Sequence, residues 1–239
     1  MKDYKVVGII SSPRYNGNTA ALVREALKGA ETGGACVKEV FLHKYDIDFC
    51  TGCFKCLSDG SCIFRDDFAE IRDLLYEADG IVWGSPTYGR TYNAVMKNLF
   101  ERLGMFEVMT SSLGGKYFAG ISTAGSSGAA RKTAKDMVSL ISGGVFKRGY
   151  VSGILGAGFI KGRTACDDRI ALEKARELGC RISRDIAAGK RYPLQNPFIR
   201  LISRFFVKPQ FIKYIAREKE RDTRAVYENL VQRGLFKAT

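Results

Sequence analysis

Apolar and polar positions along the chain follow two rhythms. Compact apolar runs at Tyr4–Ile10, Gly80–Gly84, Tyr117–Ser122 and Tyr150–Leu155 predict buried strands, and Val37–Leu42 alternates enough to predict another. Between them apolar residues recur at helical spacing. Leu22, Val23, Ala26 and Leu27 mark a helix over Asn18–Gly29. Further helices are predicted over Asp66–Glu77, Asn93–Leu103, Ala129–Ile141 and Asp167–Ala188, the last stopping at Gly189. Strands that alternate with helices point to a parallel sheet covered on both faces. Five strands in this rhythm suit a doubly wound sheet of order 2-1-3-4-5, or half of a dinucleotide-binding fold. In either, ligands sit beyond the carboxyl ends of the strands.

The pattern changes after Gly189. Residues 190–239 hold twelve Lys and Arg against four Asp and Glu, so they carry most of the chain's net charge of +13. Pro193, Pro197 and Pro209 punctuate the segment. Phe198, Leu201, Ile202, Phe205 and Phe206 repeat at the spacing of one apolar helical stripe, with Arg200, Arg204 and Lys208 on another face. A second helix is predicted over Ile212–Gln232. We read residues 1–189 as one α/β domain and 190–239 as a basic helical arm. The stripe is expected to be buried against a second subunit, with contact to a membrane surface as the less favoured alternative. The net charge alone does not make a nucleic-acid partner, because no recognition motif accompanies it. No run approaches the roughly 20 apolar residues of a membrane span, and MKDYKVVGII does not open like a signal peptide. An odd number of cysteines, with four crowded together, fits a reducing cytoplasm.

Three loops follow strands and carry candidate chemistry. In the first, SSPRYNGNTAAL, hydroxyl and amide side chains gather at a helix start with Gly17 and Arg14. A helix N-terminus with free N–H groups is a phosphate site; ordinary capping by Asn18 or Thr19 is the plainer alternative. Neither G-x4-G-K-[ST] nor G-x-G-x-x-G is present. The second loop, GSPTYGRTYN, has Pro86 to stiffen it, Gly89 for close approach and Tyr88 to lie against a flat ring. The third, STAGSSGAARKT, offers backbone donors around Gly125 and Gly128.

Cys50, Cys53, Cys56 and Cys62 form C-x2-C-x2-C-x5-C inside a loop over residues 49–64. Three cysteines at every third residue cannot all pair without strain. An iron–sulfur cluster would use all four; zinc and empty thiols remain alternatives. Cys36, Cys166 and Cys180 are expected in the core, as is Trp83. His43, the lone histidine, is expected to be structural. Arg131, Lys132 and Lys135 form either a solvated face or an attractor of cofactor phosphates.

The motifs SPR-x2-GNT-x2-L and GSPTYGRTYNAVMKNLFER, with the small-residue third loop, resemble the NADPH-dependent FMN reductase family. The cysteine motif resembles the iron–sulfur flavoprotein branch of that family. The resemblance covers roughly residues 4–190. It implies a flavodoxin-like, doubly wound, five-stranded parallel sheet and bound FMN. By this match Ser11, Arg14, Asn18 and Thr19 belong to the loop that holds the FMN phosphate, with Asn16 and Ala20 beside it. Pro86, Thr87, Tyr88 and Gly89 match the loop lining the isoalloxazine ring, and Thr123, Ala124, Gly125 and Ser126 the third flavin loop. Cys50, Cys53, Cys56 and Cys62 match the ligands of a [4Fe–4S] cluster. The branch also implies a homodimer or homotetramer, a ferredoxin-like or NAD(P)H electron donor, and a relay of electrons between cluster and FMN. Simple FMN reductases of the family keep a similar cysteine loop ending in G-x-C-x3-D-D, as Gly60–Asp67 does. A cluster-free NAD(P)H-dependent FMN or quinone reductase is therefore the alternative, and a non-catalytic flavodoxin-like carrier a further one.

Overall fold

Each apolar run becomes a strand because both faces of the sheet are covered and only apolar side chains suit such a position. A computed structural model describes residues 4–160, 163–193, 195 and 197–237. Strand β1 (Tyr4–Ile10) lies between β2 (Ala35–Phe41) and β3 (Gly80–Tyr88). β3 pairs with β5 (Tyr117–Ala124), and β5 with β6 (Tyr150–Gly158), all in parallel. The order β2-β1-β3-β5-β6 is the expected 2-1-3-4-5 path once the long strands alone are counted. The difference is β4 (Thr91–Tyr92), a short antiparallel strand on the end of β3. The turn between them is made by Gly89 and Arg90, both at positive φ.

Successive strand residues face opposite layers. Val6, Ile10, Val82, Ala119 and Ile121 pack under α1 (Asn18–Thr32) and α6 (Arg169–Ala187). Val7, Ile9, Ile81, Trp83 and Phe118 pack under α3 (Phe68–Glu77), α4 (Ala94–Thr110) and α5 (Ser127–Ile141). Trp83 is fully buried, as expected. The backbones of α1 and α6 touch: a Cβ on Gly179 would stand 1.8 Å from the Ala26 carbonyl oxygen.

The helix predicted to end at Leu103 continues past a kink at Gly104 (φ 25°, ψ −125°) to Thr110. The loop at 49–64 contains one short helix, α2 (Lys55–Asp59).

Gly189, at positive φ, follows the end of α6. Gln195 then covers the start of edge strand β6: its Oε1 accepts from Val151 N (3.0 Å) and its Nε2 donates to Val151 O (2.7 Å). The arm goes on as α7 (Pro197–Ile202), a π-turn (Ser203–Val207), α8 (Lys208–Arg217) and α9 (Arg224–Gln232). The single helix predicted over Ile212–Gln232 is therefore two. Thr223 makes the break, donating its N–H to Glu218 O and its hydroxyl to Ile215 O. The fold-back lets Ile215, Val226 and Leu230 share one buried cluster with Leu57 and Met109 of the main body. The predicted stripe lies outside this cluster, with Phe198 80%, Phe206 70% and Phe205 61% exposed. The Arg200 side chain lies outside the described residues. Among the described residues no helix is long and apolar enough to cross a membrane.

Candidate functional site

The three loops meet at the carboxyl ends of β1, β3 and β5, held by a web of short polar side chains. Ser11 is fully buried, and both its N–H (2.9 Å) and its hydroxyl (3.2 Å) donate to Gly84 O. Its own carbonyl accepts from Asn93 Nδ2 (2.6 Å) and lies 3.1 Å from His43 Nε2. The contact places His43 against the first loop's backbone. Asn93 also caps α4, accepting from Met96 N, and its N–H donates to Ser85 Oγ. Sequence reasoning missed Ser85 and Asn93 as organisers. The available signal was Asn93 directly before a helical pattern, a standard cap position.

Beyond Ser11 the loop opens. Arg14 and Asn16 are exposed, while Asn18 is half-buried. Asn18 Oδ1 reaches across to accept from Ala165 N (3.0 Å). Among the described residues no side chain caps α1, so its first-turn amides at Asn18, Thr19 and Ala20 face outward along the helix axis. Thr19 and Ala20 are themselves buried, and the Thr19 hydroxyl lies 2.7 Å from that of Thr123. This pair ties the first loop to the third. Thr87 Oγ1 lies 3.0 Å from both Ser122 Oγ and Thr133 Oγ1, which ties the second loop to β5 and α5. Pro86 is buried behind the cleft, whereas Tyr88 is 50% exposed. Ala124 is half-buried, and Gly125 and Ser126 are exposed. Ser126 caps α5 by accepting from Ala129 N. No described atom stands within 4 Å of a Cβ built on Gly89 or Gly125, so both loops border open space. The fourteen residues anticipated for a flavin lie at the ends of β1, β3 and β5, at the start of α1 and in the turns between them. The donor set fits an anion at the α1 end, and the exposed Tyr88 and Gly125 leave room for a flat polar ring beside it.

The cysteines occupy a second place. Cys50, Cys53, Cys56 and Cys62 line one cavity of about 490 Å³. Its far wall is α4 around the kink, from Phe100 to Phe106. Left-handed residues Gly52, Phe54 and Gly60 curl the loop around it. All seven thiols of the chain are free. Burial pushes the Cys56 thiol up, and the charges of Cys62, Cys53 and Cys50 push it further. The four sulfurs thus share one electrostatic neighbourhood. They do not stand in metal-coordinating geometry: among the described residues no group of three or more His, Cys, Asp or Glu side chains does. The chemistry of the donor set, four soft sulfurs on one loop, fits an iron–sulfur core or zinc.

Behind Cys62 lies a buried ion pair. The Arg102 and Asp66 side chains are 1% and 6% exposed and meet through two bonds of 2.5 and 3.0 Å. Burial opposes the Arg102 charge, but Asp66 and the neighbouring Cys62 side chain hold it above its ordinary value.

The arm braces this cavity. Ala225 of α9 packs against Gly60, and Leu57 of α2 sits in the arm's apolar cluster. Arg233 donates to Thr110 O and Ser111 O (both 2.8 Å), closing the carboxyl end of α4. Beside it Glu107 is buried, and burial pushes its carboxyl up to about 8. Its Oε1 accepts from Leu113 N (2.9 Å).

The remaining cysteines do not sit in the core. Cys36 and Cys166 are exposed and Cys180 is half-buried. Cys36 belongs to the outward face of edge strand β2, and Cys166 to a short turn after β6. Cys180 donates to Gly29 O where α6 crosses α1.

The family model for NADPH-dependent FMN reductase matches residues 4–153. An iron-sulfur flavoprotein of Archaeoglobus fulgidus is 34% identical over 180 residues, covering 75% of this chain and 79% of that one. A second iron-sulfur flavoprotein of the same organism is 29% identical over 189 residues, 74% of this chain and 93% of that one. Among solved structures, a flavone reductase superposes with a TM-score of 0.64 at 18% identity, over 98% of this chain and 99% of that one. An NAD(P)H:quinone oxidoreductase from Methanothermobacter marburgensis gives 0.56 at 15% identity, over 75% and 98%. These two show the same fold, and the first extends it through the arm. With its sheet-end loops, its cysteine loop and these sequence likenesses, the chain belongs to the NADPH-dependent FMN reductase family, in its iron–sulfur flavoprotein branch, and is an FMN-dependent oxidoreductase.

Proposed function

We propose that this protein passes electrons between a [4Fe–4S] cluster held by Cys50, Cys53, Cys56 and Cys62 and an FMN held by the three sheet-end loops. The observation that carries the reading is the single cavity onto which all four cysteines open. Bound FMN supplies two-electron and one-electron chemistry, and a bound cluster supplies one-electron chemistry, so together they couple donors of the two kinds.

The chain's own residues supply position and field. The first-turn amides of α1, with Arg14, Asn16 and Asn18, hold the phosphate. Ser11 and Thr19 keep the loop's shape, because their hydroxyls are already engaged inside the protein. Thr87 through Gly89 and Thr123 through Ser126 line the ring, with Tyr88 against its face. Pro86 stiffens the wall behind it. No acid–base triad is needed.

A ferredoxin-like protein or NAD(P)H as electron donor, a small-molecule acceptor and a cytoplasmic setting belong to the same reading. So does a homodimer or homotetramer, formed through the exposed stripe of Phe198, Leu201, Ile202, Phe205 and Phe206.

The test is anaerobic purification followed by iron, sulfide and flavin analysis. Iron and sulfide in equal amounts at the [4Fe–4S] ratio to chain, with stoichiometric FMN, support the relay. An iron-free, flavin-loaded protein that oxidises NADPH steadily with an added acceptor makes it a cluster-free reductase. Tight FMN with neither property leaves a carrier.

A further inference from the structure

We infer that Arg102 is the positioning residue of the cysteine cavity: it staples the two ends of the cysteine loop together and turns its Nε–H toward the side of Cys62, a sulfur ligand of the bound cluster. The inference rests on the cluster reading above.

Arg102 Nη1 donates to Asp48 O (2.7 Å), two residues before Cys50. Nη1 and Nη2 also donate to Asp66, four residues after Cys62. The loop ends are laced directly as well. Asp48 N donates to Asp66 Oδ2 (2.9 Å), Asp46 N to Asp67 Oδ2 (2.7 Å), and Asp67 N to Asp46 O (3.0 Å). The paired aspartates that end the G-x-C-x3-D-D run are therefore the clasp of the loop, and Arg102 is its pin. The rings of Phe64 and Phe68 hold the guanidinium from the sides, with Cζ 5.2 and 4.6 Å from their centroids.

Arg102 Nε is left over. It is buried and no acceptor among the described residues is aligned with it, while the Cys62 side chain lies within hydrogen-bonding reach of the guanidinium and Arg102 lines the cavity with the four cysteines. A buried guanidinium N–H without an acceptor is costly, and such groups are normally satisfied. The acceptor on that side is the Cys62 sulfur, so the N–H is placed for a sulfur that would ligate the cluster. Asp66 neutralises the guanidinium at short range, so the effect on the cluster comes chiefly through the N–H···S bond. Hydrogen bonds to cluster sulfurs raise the reduction potential.

The test is an EPR-monitored redox titration of the full-length, anaerobically prepared protein and of Arg102→Lys. Lysine keeps a charge for Asp66 but places no N–H at the Nε position. The expected result is retained iron and sulfide with a midpoint lowered so that the reduced-to-oxidised ratio at fixed potential falls about tenfold, about 59 mV for a one-electron couple. Equal midpoints in two fully loaded proteins overturn the inference and leave the cluster reading intact. A wild-type protein without iron sinks both. Should Arg102→Lys fail to fold, Arg102→Met with Asp66→Asn removes the ion pair and the N–H together, a swap buried pairs often tolerate. The same downward shift is expected there, and a wild-type midpoint in that variant overturns the role equally.

Discussion

The flavin-type cleft and the cysteine cavity lie in one fold but are held by neighbours of different kinds. The cleft is built from strand ends: Thr19 with Thr123, Thr87 with Ser122, and Ser11 with Gly84 join loops whose strands are already paired. Its walls are in place once the sheet exists. Among the described residues, no strand lines the cysteine cavity. It depends on the clasp at its base, on the kinked α4, and on α9, which arrives from far along the chain to pack on Leu57 and Gly60. A site set by the sheet should survive changes in the arm, and a site set by the arm should not.

The sharpest test of that contrast is Leu230→Ala. Leu230 is fully buried in the cluster that joins α9 to α2 and α4. Truncating such a side chain costs about 2–5 kcal/mol. Because the cluster is separate from the two sheet cores, the loss falls on arm docking. Hydrogen exchange and limited proteolysis should show residues 50–62 opening while FMN stays bound. Equal protection of that loop in mutant and wild type would show that the arm does not brace it.

A pH series probes the same junction. Glu107, buried beside Arg233, keeps its proton in the folded protein up to about pH 8, whereas the unfolded side chain releases it near its ordinary value of 4.5. The folded state thus binds more protons between these values, and stability falls as pH rises through that window. The slope reaches about 1.4 kcal/mol per pH unit. Above the folded value the contribution is lost. Glu107→Gln should flatten the denaturation midpoints between about pH 5 and 8, because glutamine keeps the acceptor for Leu113 N and carries no charge. A mutant profile as steep as the wild type's would mean that the dependence has another source.

On the cleft side, Thr123→Val removes one hydroxyl of the buried pair between the first and third loops. The expected cost is about 1 kcal/mol, seen as FMN affinity weakened by up to about tenfold. Iron content and protection of the cysteine loop should not change. Cluster loss in this variant would mean the two sites are not independent.

The same contrast explains what the sequence could and could not reveal. Tyr4–Ile10 reads as a strand at its observed limits because its unbroken apolar run suits a position between β2 and β3 that is covered on both faces. The sheet order and the three loops follow from that rhythm. By contrast, Gly104 looked like a helix end, but its φ of 25° turns α4 without ending it, and packing decides which of the two occurs. The chain from Glu218 to Asp222 is rich in helix formers, yet Thr223 breaks the helix so that Val226 and Leu230 reach the main body. Arg102 appeared as one polar residue on a helix, because its partners Asp48 and Asp66 become neighbours only after folding. Cys36 and Cys166 read as core from their strand and helix contexts, but one lies on the outward face of an edge strand and the other in a short turn, which those contexts do not distinguish.

The smallest stability effect belongs to the outer stripe. Phe198, Phe205 and Phe206 are 61% to 80% exposed and lie outside the buried cluster of the arm, so replacing all three by Ser should leave the unfolding transition nearly unmoved, each within about 0.5 kcal/mol. What should move is assembly. Three exposed aromatic rings along α7 and the π-turn are apolar surface of the kind that marks contact sites. With the stripe against a second copy of the chain, sedimentation of the triple variant should shift to a smaller species while FMN and iron contents hold. Unchanged sedimentation with an unchanged melting profile would separate the stripe from subunit contact. Binding of the wild type to anionic vesicles, lost in the triple variant, would then assign it to a lipid surface, in keeping with the positive charge the arm carries.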